Sequence, residues 1–199
     1  KWEKVMRGDG SGGLRSVEVA RGLVEPFGAV ARQAESERRI SDGSIKALID
    51  SGLMTMLLPT QMGGAGSSIG DLCDVSRVLA RGCTSTAWVH AFYAIHNWMM
   101  VRCSDEVRSE LFGERGFILA PAALAPSGHA TLVDGGYSLT RHWKWGTGID
   151  HADWVMLTGI APENNDMSDV RMFVVRVDEV ERVDVWHTLY NHPLADAAA

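Results

Sequence analysis

Residues Arg141–Leu157 read RHWKWGTGIDHADWVML: two tryptophans ahead of a Gly-Thr-Gly, and a third tryptophan at the start of a second apolar run. Just upstream, YSLTRHWKW alternates bulky and polar residues with period two, placing Tyr137, Leu139, Arg141, Trp143 and Trp145 on one side. That alternation, with its aromatic content, predicts a β-strand. Gly146-Thr147-Gly148 breaks it, and ADWVMLTGI starts the next strand. A Gly-Thr-Gly turn beside a tryptophan suits backbone that approaches a flat group closely and offers it a hydroxyl. The other reading is an ordinary loop whose glycines only supply unusual backbone angles.

Working outward, FILAPAALAP, HATLVDGGYSLTRHWKW, VRMFVVRVDEV and RVDVWHT are further strand-like runs divided by turns such as DGG and PENND. Everything before about residue 116 has a helical texture instead. Val19, Leu23, Val24, Phe27, Val30 and Ala31 share one side of a helix over about 16–39, which Pro26 kinks or splits. Ser41 or Asp42 caps a short helix carrying Ile45, Leu48 and Ile49, and Ser68 opens an amphipathic one carrying Leu72, Val75 and Leu79. STAWVHAFYAIHNWMMVRC is apolar nearly all round and belongs deep between neighbours, and Ser104 starts a last short helix. Helices segregated from strands predict an α+β protein. The expected organisation is a flexible glycine-rich N-terminus over 1–14, a helical domain over 15–116, an antiparallel β domain over 117–188 and a tail over 189–199.

Composition narrows the partners. The 199 residues carry a net charge of −6 with no lysine/arginine tract, which argues against nucleic acid. Hydrophobic residues make up 46% of the chain, enough for a core, yet no uncharged apolar run is long enough for a membrane span. Cys73, Cys83 and Cys103 match no zinc pattern, and their odd number fits a reducing cytoplasm, with apolar filling as their role. His90 and His96 are six apart, on different faces of a helix, so no metal site is expected. The Gly-Gly-Ala-Gly of residues 63–66 lacks the context of a phosphate loop, and no G-x-G-x-x-G follows a strand, so no nicotinamide site is expected.

The order of helices, LLPTQMGGAG, WVHAFYAIHNW, LAPAALAPSG and then WKWGTGIDHADWVML resembles the acyl-CoA dehydrogenase superfamily. AIHNW and the GxDHADW at the entry to the ADWVMLTGI strand resemble in particular its flavin-dependent monooxygenases, the oxygenase components of two-component aromatic hydroxylases. The resemblance implies a helical domain followed by an antiparallel, barrel-like β domain, without the family's C-terminal four-helix domain. It also implies reduced FMN or FAD as cofactor, a flavin reductase and a small aromatic or polyketide-like substrate as partners, and a homo-oligomer. By the same resemblance Trp145, Gly146, Thr147 and Gly148 would wall the flavin, with Ala120, Ala122 and Ala123 forming the second strand of the cradle. Hydroxylases often carry serines where this chain has those alanines.

His96 corresponds to the helix histidine beside the substrate's hydroxyl in phenol hydroxylases of this type, where imidazole would accept the phenol proton. Its alternative role is a core histidine satisfied by backbone. Trp88, two helical turns earlier, would look into the same cavity or else pack in the core. His90, His151 and Asp153 read as structural, with Asp150 and Asp153 bonding turn backbone or orienting His151. Thr147 and His96 are thus the candidate catalytic residues. An acyl-CoA dehydrogenase-like oxidoreductase, or a non-catalytic truncated remnant that binds flavin or a partner, are the other expectations.

Overall fold

A computed structural model describes residues 11–161, 169–184 and 197–198. Five α-helices come first: α1 Ser11–Glu37, α2 Asp42–Asp50, α3 Ile69–Leu79, α4 Thr84–Met100 and α5 Asp105–Phe112. Six strands follow: β1 Ala122–Val133, β2 Gly136–Thr140, β3 Gly146–Thr147, β4 Trp154–Ile160, β5 Val170–Arg176 and β6 Ala197–Ala198. The molecule is α+β, as its sequence implies.

Local chemistry sets most helix starts. The Ser41 hydroxyl accepts from Ser44 N, and Ser104 accepts from Val107 N. Ser68 and Asp71 form a reciprocal capping box at the start of α3. Pro26 lies inside an unbroken α1 instead of splitting it. Pro26 and Gly22, whose carbonyl loses its partner, are both exposed, so water takes over that carbonyl. Residues 11–14, read above as flexible, are helical, because their glycines pack closely. A Cβ on Gly12 would stand 2.2 Å from Ala65 O, and one on Gly13 2.0 Å from the Asp71 carboxylate. Residues 1–10 fall outside the described part.

The helical core gathers Phe27 of α1, Leu48 of α2, the Leu53–Leu57 segment, Leu79 of α3 and Tyr93 of α4. A second cluster, with Met100, Leu111, Phe112, Ile118, Ala120 and Met156, joins helices to sheet. Burial of this kind is worth about 25 cal/mol per Å² of apolar surface and supplies the main driving force.

The sheet differs from the antiparallel, barrel-like expectation. It is a four-stranded mixed sheet in the order β2-β1-β4-β5, open at β2 and β5 among the described residues. The β1/β2 and β4/β5 pairs are antiparallel, whereas β1 and β4 run parallel, with Ala123 opposite Leu157. Parallel neighbours need a crossover, and the crossover is residues 141–153. The alternating stretch therefore stops being strand at Thr140. Beyond it the chain crosses from one edge of β1 toward the other, making the short β3, which pairs with β6, and a single 3-10 turn at Ile149–His151. Part of the last expected strand, RVDVWHT, lies outside the described residues.

A third cluster holds Ala123, Ile149, Val155 and Leu157 under Leu139, Trp143, Val175, Val177 and Val180. Val155 and Leu157, which as alternating strand residues invite a reading as an uncovered apolar face, are buried there.

Candidate active site

The two tryptophans ahead of the turn have separate fates. Trp143 lies over Gly128, where a Cβ would fall 2.3 Å from the ring, and its indole N–H donates to Thr158 O at 2.8 Å. It is a packing residue. Trp145 is 55% exposed and holds a left-handed backbone, φ 72°. For a non-glycine residue that conformation costs about 1–3 kcal/mol and persists only where the surroundings impose it. Thr147 N–H closes the bend onto Trp145 O at 3.2 Å, and Gly148 follows at φ 86°. The turn thus presents a large exposed indole next to a buried threonine.

What holds the turn comes from α4 and from the corner between α1 and α2. The fully buried Tyr93 of α4 donates its hydroxyl to Gly148 O, which also accepts His151 N–H at 3.1 Å. The His151 ring donates Nε2–H to Ile40 O at 3.0 Å, leaving Nδ1 as acceptor toward Arg39 at 3.3 Å. Asp42 Oδ1 lies 3.3 Å from the same nitrogen. Burial foremost, then the Arg39 charge, lowers the His151 pKa. Asp153 takes the structural role read for it: its carboxylate accepts Leu119 N–H at 2.7 Å and pairs with Arg115.

The other wall is the chain leading into β1. His96, buried in α4, hydrogen bonds through Nδ1 to Ala120 O at 2.6 Å. The carbonyl can only accept, so Nδ1 carries the proton and Nε2 keeps the lone pair. Burial is the main cause that lowers the His96 pKa, with the Ala120 carbonyl opposing it, so the ring is neutral at pH 7. One residue on, Asn97 clamps Ile118 from both sides: Nδ2 donates to Ile118 O and Oδ1 accepts Ile118 N–H, both at 2.9 Å.

Trp88, Phe92 and His96 form an edge-to-face ladder along one side of α4, with centroids 4.9 and 5.6 Å apart. Trp88 is 46% exposed at its far end. Ala120 and Ala122 pack toward the helices, whereas Ala123 turns to the opposite face of the sheet. The three alanines are therefore not one wall. Thr158 donates to the carbonyls of Ala123 and Ala125, both at 2.8 Å, where the register of β1 against β4 slips. A cavity of about 310 Å³ lies on the Ala123 side, with Leu139, Trp143, Val155, Leu157, Arg141 and Arg182 in its lining. Of the expected cofactor residues only Ala123 and Gly146 reach it, and His96 does not.

His90, six residues before His96, is structural as its position in the helix suggests. Its Nε2–H donates to Leu53 O at 3.1 Å, and burial lowers its pKa to about 4. Phe92, Tyr93, Asn97 and Thr158 were not legible as site residues. Tyr93 and Asn97 sit in an apolar helix whose pattern announces burial, and nothing local tells which distant backbone atoms they meet. Phe92 had a fainter signal, lying midway between Trp88 and His96 at i+4 spacing.

Residues 15–112 match the family model described as acyl-CoA dehydrogenase, N-terminal domain. The chain is 33% identical over 159 residues to the flavin-dependent monooxygenase oxygenase subunit HsaA of Mycobacterium tuberculosis, covering 80% of this chain and 40% of that protein. It is 28% identical to the FADH2-dependent resorcinol hydroxylase oxygenase component of Rhizobium sp., over 88% of this chain and 43% of that one. The crystal structure of the M. tuberculosis HsaA monooxygenase superposes with a TM-score of 0.85 at 29% identity, covering 94% of this chain and 51% of that chain. The mixed sheet and the preceding helices agree with the acyl-CoA dehydrogenase-like fold of these matches. The chain spans less than half the length of the curated relatives it matches.

Proposed function

We propose that this chain is part of a flavin-dependent monooxygenase, the oxygenase component of a two-component system that hydroxylates a phenolic or related aromatic small molecule. The observation that carries the reading is His96: a buried, neutral imidazole with Nδ1 tied to Ala120 O and Nε2 left as a proton acceptor. It stands at the inner end of an aromatic ladder, on the helix that also holds the Trp145–Gly148 turn. The named relatives, an oxygenase subunit and a resorcinol hydroxylase, support the reaction class. The reading includes the division of the chain near residue 116, with 15–116 helical and 117–188 the β part.

The residues present fit a reduced flavin on three counts. Trp145 offers a flat apolar surface that the structure leaves exposed at the cost of a left-handed backbone. Thr147 supplies a hydroxyl in a buried setting, Gly146 brings no side chain to the turn, and Gly148 lets the turn seat directly on Tyr93. Ala120 and Ala122 contribute small residues on the helical side; Ala123 would act only through its backbone. When bound, reduced FMN or FAD would activate dioxygen, one oxygen atom entering the substrate ring and the other leaving as water.

The protein's tasks are orientation, exclusion of water and proton transfer. His96 Nε2 accepts the phenol proton, which raises electron density at the ring carbons. The Ala120 carbonyl steadies the imidazolium so formed through the Nδ1 hydrogen bond. The Trp88–Phe92 edge forms an aromatic wall for the substrate. A separate reductase would supply the reduced flavin, and the working assembly would be a homo-oligomer.

Anaerobic titration with reduced and oxidised FMN and FAD tests the reading, followed by mixing with oxygen and a panel of phenols. Tighter binding of the reduced form and a catechol-type product are expected. Equal or tighter binding of the oxidised form would favour the acyl-CoA dehydrogenase-like alternative, and flavin binding without turnover the non-catalytic one.

A further inference from the structure

We propose that Tyr93 is the positioning residue of the Trp145–Gly148 turn, so that α4 sets both the proton acceptor and the flavin-facing backbone from adjacent turns of one helix. The inference deepens the flavin reading and rests on it for its meaning, though not for its geometry.

Tyr93 is fully buried in the helical core, 55 residues away in sequence from the carbonyl its hydroxyl donates to. The contact is tight on all sides. A Cβ on Gly148 would stand 2.6 Å from the Tyr93 oxygen and 2.7 Å from the ring carbon bearing it. The turn therefore seats directly on the phenol, and glycine at 148 serves this close approach as well as the left-handed backbone. Ahead of it, Thr147 N–H donates to Trp145 O across Gly146, closing a bend whose left-handed tryptophan needs an external anchor.

The same helix reaches the other wall with residues three and four positions later. His96 bonds Ala120 O and Asn97 brackets Ile118, while Asn97 Nδ2 also donates to Tyr93 O at 2.9 Å. Tyr93, His96 and Asn97 thus pin the backbone of both walls from within about one turn of helix. The distance between base and turn is then a property of a rigid helix rather than of two loops. Tyr93 touches no reacting atom in this scheme; it acts through Gly148.

Tyr93→Phe removes the hydroxyl and keeps the ring. Amide hydrogen exchange read by mass spectrometry should show residues 146–151 exchanging at least about tenfold faster, with α1, α3 and the rest of α4 unchanged. Reduced FMN and FAD should bind about tenfold more weakly, with an altered absorption spectrum of bound flavin. Parent-like exchange at 146–151 overturns the proposal. So does loss of the near-UV circular dichroism of the whole molecule, which would make Tyr93 a residue of general stability. A parent protein that binds neither flavin would sink the flavin reading alone, because the exchange experiment still reports whether Tyr93 holds the turn.

Discussion

Lowering the pH should destabilise the protein by an amount that His90 largely sets. The ring is buried between α4 and the Leu53–Leu57 segment, donates Nε2–H to Leu53 O, and leaves Nδ1 without a hydrogen-bond partner among the described residues. Protonation would put a charge on that nitrogen with nothing to receive it, so burial lowers the folded pKa from 6.5 to about 4. The unfolded chain then binds the proton more readily than the folded one, and stability is lost as pH falls from 6.5 through 4. Linkage over that gap amounts to about 2 kcal/mol by pH 5 and about 3 kcal/mol by pH 4, against a total stability of about 5–15 kcal/mol. His96 and His151, also lowered, act in the same direction, so the comparison must isolate one ring. Urea unfolding of the parent and of His90→Gln at pH 7, 6, 5 and 4 does so, since glutamine can still donate to Leu53 O but does not titrate. The variant should be less stable at pH 7 through imperfect packing and should lose about 3 kcal/mol less than the parent on going to pH 4. Parallel stability curves for the two proteins would show that His90 is not the buried neutral group described.

Other substitutions address the site and the sheet. Thr147→Val keeps the shape and removes one buried hydroxyl, so it should cost about 0.5–1.5 kcal/mol of flavin affinity. Trp145→Ala should weaken binding further by removing the wall, as titration would show, and parent-like binding in both would refute the turn's assignment. His96→Asn should lower turnover of phenols by about 10²–10⁴-fold with reduced-flavin affinity little changed; a loss of only a few-fold in rapid-mixing kinetics would remove His96 as the base. Gly128→Ala places a methyl 2.3 Å from the Trp143 ring and should lower thermal stability, by about 1–3 kcal/mol, with Trp143 fluorescence shifting to longer wavelength. An unshifted spectrum at full stability would contradict the packing of Trp143 on β1.

What the chain announces locally is what short-range physics controls. Ser41, Ser68 and Ser104 mark helix starts because each capping hydroxyl meets an amide only three residues away. Helix period before residue 116 and strand texture after it define an α+β protein, since the side that a residue shows to the core depends on its own repeat. The quoted motifs carried the resemblance to the family, because those residues keep their order in the chain. The direction of β4 against β1 was decided elsewhere. Period-two alternation continues through Trp145, yet pairing ends at Thr140, and alternation carries no information about whether a partner strand continues alongside. The separate uses of Trp143 and Trp145 follow from that crossover, one ring lying on Gly128 and the other left at the surface. The anchors of the site were equally hidden. Tyr93 to Gly148, His96 to Ala120 and His151 to Ile40 join side chains to carbonyls 55, 24 and 111 residues away. A backbone carbonyl looks the same in every residue, so only packing of the helices against the crossover selects which one a buried polar side chain will meet.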